Sequence, residues 1–345
     1  MDTRDVLGAV AVTLLTVLLA GGCRLFTGRN AGAEGPGFGT ASHSKARKIV
    51  SAWFPCDERG FDAVAPHADI LASLSLFGTP SAEFMQTCRA HNILTYKLVG
   101  GDASAFDTPD RARATVNGYT RDCEQVGYDG IDLDFEHVDA SFRDRYSAFV
   151  RLAAQELHKR GRRLSICVGP IALSENPQAA PSTFCDLKVI SAACDEVRVM
   201  CYDMYYAKAC LFGPTSTRPW ARDVMQFYVR HVPREKLIMG LPGYSNEYRM
   251  MPGLGKGWQA DCGAPRTEAG ARQVERIWLE RERINLYRYV DAEGNLLLRF
   301  ASDADSTRAH LETVDELGLA GITFWHFTSP TPDIWDAVHG WLSAR

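Results

Sequence analysis

Asp132, Asp134 and Glu136 alternate along the chain with Ile131, Leu133 and Phe135. A β-strand sends successive side chains to opposite faces, so this stretch predicts a strand with one apolar face and one face of three carboxylates. Neighbours on the acidic face lie about 6.6 Å apart, two residues at about 3.3 Å of rise each. Like charges held that close push each other's proton affinities apart, so part of the group stays protonated near neutral pH. Packing has no use for such a face, whereas general acid–base catalysis does. Asp129 has the opposite parity and reads as a structural partner at the strand's start. His137 also points away from the acidic face, so no direct role is assigned to it.

Holding carboxylates in register requires a rigid sheet, and the flanking sequence predicts one. Strands are expected at 49–54, 70–77, 93–99, 128–136, 163–168, 196–202, 237–241 and 321–326. Helices are expected at 81–91, 109–126, 142–160, 308–317 and 333–343, the first with Ser81 as N-cap and the fourth stopped by Gly318. Eight strands interleaved with helices read as an α/β fold, a parallel (β/α)8 TIM barrel. The stretch between Gly243 and Arg308 is too long for one βα unit. Its segments 286–289 and 296–300, around Asp291-Ala292-Glu293-Gly294, predict a hairpin within a small insertion between strands 7 and 8. In such a barrel the active site lies where the strands' C-terminal ends open. Glu136 falls at that end, Asp134 one layer below it and Asp132 deeper.

Asp129-x-x-Asp132-x-Asp134-x-Glu136 resembles, without a gap, the signature of the glycoside hydrolase family 18 chitinases. Met200-Cys201-Tyr202-Asp203, ending the sixth strand, resembles the family's Met-x-Tyr-Asp, and Trp325 on the eighth falls where the family places a tryptophan under its sugar. Within the family, three segments resemble the di-N-acetylchitobiase branch: 98–104 after strand three, 239–244 at strand seven, and 263–274. Leu98 stands where the ordinary chitinase pattern has Ser.

The resemblance implies hydrolysis of β-linked N-acetylglucosamine oligosaccharides, of the chitin or peptidoglycan type, with the substrate's own acetamido group as nucleophile. Such enzymes are exceptions to the scheme of two enzymic carboxylates. On that reading Glu136 is general acid and base, and Asp134 clamps the acetamido N–H. Asp132 shares a proton and tunes the pair above it, while Tyr202 holds the acetamido oxygen. Trp325, Asp203, Met200, Tyr244 and Trp53 are the expected sugar contacts. Two other readings are a non-catalytic N-acetylglucosamine-binding lectin of the same fold and an endo-β-N-acetylglucosaminidase acting on N-glycans. The acid Glu136, which non-catalytic relatives replace, favours an enzyme. No cofactor is implied, and the nine histidines show no ligand spacing, so no metal is expected.

The 345-residue chain has a formal net charge of −4 and no basic cluster, which argues against nucleic acid as a partner. Val6 to Ala20 is uncharged and mostly apolar, a length suited to a signal peptide rather than a membrane span. Ala20-Gly21-Gly22-Cys23 then resembles a bacterial lipoprotein cleavage site. This gives a signal at 1–22, a lipid on Cys23, a Gly-rich tether over 23–45 and a catalytic barrel over 46–345. The expectation is therefore a monomeric envelope lipoprotein, anchored to a membrane through Cys23, with a secreted soluble protein as the alternative. The absence of any Asn-x-Ser/Thr sequon agrees with a bacterial lipoprotein. Of ten cysteines, Cys167 and Cys201 read as buried thiols within strands, and a Cys210–Cys262 bridge is geometrically possible.

Overall fold

The structure, a computed structural model, describes residues 48–57, 59–170, 182–205, 212–250 and 256–345. Cys23, the signal, the tether and Cys210 lie outside the described residues. Among those described, the cysteines are free thiols, Cys167, Cys201 and Cys262 all buried. No helix among them is long and apolar enough to cross a membrane.

In chain order the first seven strands are β1 (Ile49–Pro55), β2 (Ser73–Phe77), β3 (Leu94–Gly101), β4 (Gly130–Phe135), β5 (Arg163–Val168), β6 (Glu196–Met200) and β7 (Leu237–Pro242). There follow β8 (Ser245–Arg249), β9 (Lys256–Ala260), β10 (Arg272–Leu279), β11 (Ile284–Val290) and β12 (Leu296–Ala301), then β13 (Gly321–Trp325). Strands β1 to β7 and β13 form a closed parallel barrel, β13 pairing with both β1 and β7. The remaining five form a separate antiparallel sheet ordered β10-β11-β12-β8-β9, inserted between the seventh and eighth barrel strands. The predicted hairpin is its β11–β12 pair, with Val290 opposite Leu296.

The helices are α1 (Ala82–Ala90), α2 (Pro109–Val126), α3 (Arg143–His158), α4 (Leu187–Ala193), α5 (Arg218–Val229), α6 (Ala304–Leu317) and α7 (Pro332–Ser343). Ser81 caps α1 by accepting from the Phe84 N–H, and Thr217 caps α5 by accepting from the Trp220 N–H. Helix α6 begins four residues before the expected start, because Asp303 and Ser306 form a reciprocal capping box ahead of it. The second strand begins at Ser73 rather than Ile70. Ile70 and Leu71 are buried in the turn that leads into it, and an apolar run alone does not separate a strand from a packed turn.

The period-of-two reading of β4 holds in three dimensions. Ile131, Leu133 and Phe135 are buried in the core between barrel and helices. Phe135 meets Tyr146 and Phe149 of α3, each with ring centroids 5.8 Å away. A side chain buried so fully contributes about 1.5–3 kcal/mol, so the outward face fixes the register that turns Asp132 and Asp134 inward. Asp129 is the structural partner expected: its Oδ2 accepts from the Thr95 N–H at 2.8 Å and ties the start of β4 to β3.

Candidate active site

At the C-terminal mouth of the barrel, side chains from β1, β4, β6 and β13 and from the loops after β4, β6 and β7 enclose a cavity of about 250 Å³. It is lined by Trp53, Asp134, Glu136, Met200, Tyr202, Asp203, Tyr244 and Trp325, and by Gln259 from β9. Eight of the residues singled out from sequence thus converge on one space. Asp132 lies below it, fully buried. Gln259 was not foreseen, because β9 reads as polar loop and only its pairing with β8 makes it a strand.

Two glycines let the site close. Gly240 pairs with Met200, and a Cβ there would lie 2.8 Å from the Val199 carbonyl oxygen and 3.2 Å from the Tyr202 ring. Gly100 pairs with Asp134, and its Cβ would lie 2.5 Å from the Asp134 carbonyl oxygen. Straight after Glu136 and Tyr202 the backbone turns through left-handed residues, His137 at φ 55° and Asp203 at φ 59°. Such conformations are costly for non-glycine residues and concentrate at functional sites.

The aromatic wall is layered. Trp325 is half-buried, with Phe77 stacked behind it at 5.6 Å and Trp53 edge-on at 5.8 Å. Trp53 borders the cavity but is only 1% exposed, and its Nε1–H donates to Asp132 Oδ2 at 3.1 Å. The open ring available to a sugar face is therefore Trp325. Tyr202 stands edge-on to Trp53 at 6.5 Å and near Tyr244 at 6.4 Å, and the Tyr244 hydroxyl donates to Asp203.

The carboxylates divide into two environments. Asp132 Oδ2 accepts from Arg198 Nη1 at 3.0 Å, from Trp53 and from the Ser75 hydroxyl, while its Oδ1 faces the Cys167 thiol at 3.6 Å. Asp132 thus sits in an ion pair inside the barrel. Above it, burial pushes the Asp134 carboxyl up to about 7, helped by the charges of Glu136 and Asp132. Asp134 Oδ1 is buried and has no hydrogen-bond partner among the described residues. Glu136 is exposed at the rim, yet partial burial lifts its carboxyl above the usual range; His137 offsets this and Asp203 adds to it.

Near neutral pH the Asp134–Glu136 pair therefore holds a proton. A raised carboxyl keeps its proton below its shifted value and loses it as pH rises through that value. A reaction that draws on that proton for general acid catalysis should accordingly show kcat/KM falling above about pH 7, approaching tenfold per unit. Initial rates over pH 5 to 9 on a small chromogenic N-acetylglucosaminide check this.

The model for the family described as "Glycosyl hydrolases family 18" matches residues 40–329. The chain belongs to glycosyl hydrolase family 18. Its closed eight-stranded barrel is the fold it shares with solved chitinases. A cortical fragment-lytic enzyme of Bacillus subtilis (strain 168) is 25% identical over 228 residues, which are 65% of this chain and 52% of that one. This chain thus spans about half the length of that relative. Among solved structures, a chitinase from Chromobacterium violaceum superposes with a TM-score of 0.75 at 21% identity, covering 86% of this chain and all of that one. A family 18 N-acetylglucosaminidase from Paenibacillus barengoltzii gives 0.68 at 18% identity, covering 85% and 99%. The narrower likeness to di-N-acetylchitobiases rests on the short sequence segments alone.

Proposed function

We propose that this family 18 enzyme hydrolyses β-linked N-acetylglucosamine residues in chitin- or peptidoglycan-type glycans, with the substrate's acetamido oxygen as nucleophile. One observation carries the reading. Asp134 borders the cavity beside Glu136 and keeps a buried oxygen without a donor. An unmet buried acceptor costs about 1–3 kcal/mol, and the N–H of a 2-acetamido group supplies the missing donor.

Glu136, exposed at the mouth, protonates the leaving glycosidic oxygen. The acetamido oxygen attacks the anomeric carbon and closes an oxazolinium ring. Asp134 accepts the acetamido N–H and balances the positive charge, while the Tyr202 hydroxyl donates to the acetamido oxygen and aligns it. Glu136, now a carboxylate, takes a proton from water as that water opens the ring, which restores the acid and retains the anomeric configuration. At about 250 Å³ the cavity is just below the usual range of ligand pockets, about 300–1,000 Å³, so it suits one sugar ring, which Trp325 faces from its half-open side. The names of relatives agree with the substrate class: cortex lysis, chitin and N-acetylglucosaminide cleavage. The lipoprotein-like segment around Cys23 further suggests export to the envelope, where peptidoglycan is at hand.

The test is the first-formed product. Hydrolysis of an N-acetylglucosamine oligomer, followed by NMR, should release the β-anomer first, and the deacetylated oligomer should not turn over. An α-anomer first, or equal rates on the two substrates, overturns the acetamido mechanism.

A further inference from the structure

Gln259 is the one residue lining the cavity that comes from a strand of the inserted sheet. The period of two along β9 puts it there. Its neighbour Trp258 points to the opposite face of the sheet, where it packs with Ala271, Tyr289 and Leu297. Gln259 itself stands directly opposite Asn246 on β8. Asn246 is held by its own carboxamide, whose Nδ2 donates to the carbonyls of Tyr205 at 2.6 Å and Gly213 at 3.0 Å. Packing on one face and these bonds on the other fix the register that turns Gln259 to the cavity. Gln259 is half-buried, and no hydrogen bond joins its carboxamide to another described residue.

The cavity is rich in acceptors and poor in donors. Asp134, Glu136 and Asp203 line it, and none of its nine described lining residues is Lys, Arg or His. The Trp53 indole N–H is committed to Asp132, and the Tyr244 hydroxyl to Asp203. A carboxamide presents two donors and an acceptor, and Gln259 carries the only one among those residues. In the reaction proposed above, Glu136 faces the glycosidic oxygen, Asp134 and Tyr202 hold the 2-acetamido group, and Trp325 faces the ring. The hydroxyls left over are those at C3, C4 and C6, and what they lack is an N–H donor. We propose that Gln259 is a specificity-determining residue: its carboxamide hydrogen-bonds one hydroxyl of the C3–C4–C6 edge, so the inserted sheet selects among 2-acetamido sugars. This rests on the reaction proposed above for the placing of the sugar. The acetamido chemistry alone does not separate N-acetylglucosamine from its epimers or edge-substituted forms, because all carry the same internal nucleophile. A site built to bond a hydroxyl rejects the analogue without it, since its own polar group is then left unpaired.

Substrate analogues crossed with a variant test this. A chromogenic β-N-acetylglucosaminide and its 3-, 4- and 6-deoxy forms are compared on the wild type and on Gln259→Met, which keeps the side chain's length and removes its amide. One neutral hydrogen bond is worth about five- to tenfold. Gln259→Met should therefore lower kcat/KM on the parent glycoside by about that factor, mainly through KM. On the deoxy sugar that lacks the bonded hydroxyl, the wild type should itself be slower, and the variant should lose less than about twofold more. On the other two deoxy sugars the full gap should persist. A glutamine that only served the buried, unpartnered Oδ1 of Asn246 would lower the melting temperature and leave the same gap on all four sugars. Equal gaps on all four, or no gap, overturn the proposal. A wild type inert toward the parent glycoside defeats the reaction proposed above and this assignment with it. A wild type that turns over while Gln259→Met matches it defeats this assignment alone. Gln259→Thr, a good strand former too short to reach the sugar, gives the same comparison if Gln259→Met does not fold.

Discussion

Glu136→Gln should fold as the wild type does and lose about a thousandfold in kcat. The loss follows from position and chemistry together. Glu136 stands at the rim of the cavity, one residue beyond the end of β4, and its raised carboxyl belongs to the pair that holds a proton near neutral pH. A well-placed general acid is worth about 10²–10⁴ in rate. In the reaction proposed, one group serves as acid in the first half-reaction and as base in the second, which places the loss toward the upper end. Stability should change little, because an exposed substitution ordinarily stays within about 0.5 kcal/mol and Gln removes a charge that Asp134 and Asp203 oppose. Turnover number and thermal melting measured on the same preparation decide it. Near-wild-type turnover would exclude Glu136 as the proton donor, and a collapsed melting curve would show a structural role instead.

The contrast between β4 and β6 shows what the sequence made legible. On β4 three acids alternate with three large apolar residues, so parity and chemistry point the same way, and Asp134 and Glu136 are found where strand geometry puts them. Tyr202 and Trp325 were legible because they end strands whose C-terminal edge had been located. On β6 the same period of two sets Glu196, Arg198, Met200 and Tyr202 on one face. Once Tyr202 was placed inward, Arg198 had to follow. It was passed over because arginine is among the residues least often fully buried, and composition overrode parity. The cation beside Asp132 was missed for that reason: it comes from a strand two places along the barrel wall.

Other features lay beyond local reading. Gln259 reaches the cavity from β9, whose strand character exists only through pairing with β8. The need for glycine at 100 and 240 comes from backbone approach between neighbouring strands, which no local window contains. The helix α4 is too brief for its periodicity to stand out, whereas α5 was passed over although its buried Ala221, Val224, Met225 and Tyr228 recur at i, i+3, i+4 and i+7.

Asp134→Asn is expected to cut kcat by about 10²–10³, the scale of removing one preorganised group aimed at transition-state charge, while KM changes far less. Asn has nearly the shape of Asp, and its carbonyl oxygen can still accept the acetamido N–H, so ground-state binding survives. On the proposed mechanism, what disappears is the negative charge facing the positive ring that forms when the acetamido oxygen attacks. That charge matters only at and after the transition state, and loss of such an interaction lowers kcat rather than raising KM. Asp134→Ala removes the acceptor as well and should be slower still. The pH profile gives a second check. Asp134 is the group pushed up to about 7, and without it the proton rests on Glu136 alone. The alkaline limb of Asp134→Asn should therefore follow Glu136 alone and differ from that of the wild type. A neutral thiazoline mimic of the oxazolinium, protonated on binding, should lose affinity for Asp134→Asn by a factor similar to the loss in kcat. Unchanged affinity beside a large loss of turnover would mean that Asp134 does not face the ring, and the acetamido clamp would have to be abandoned even if Glu136 proved to be the acid.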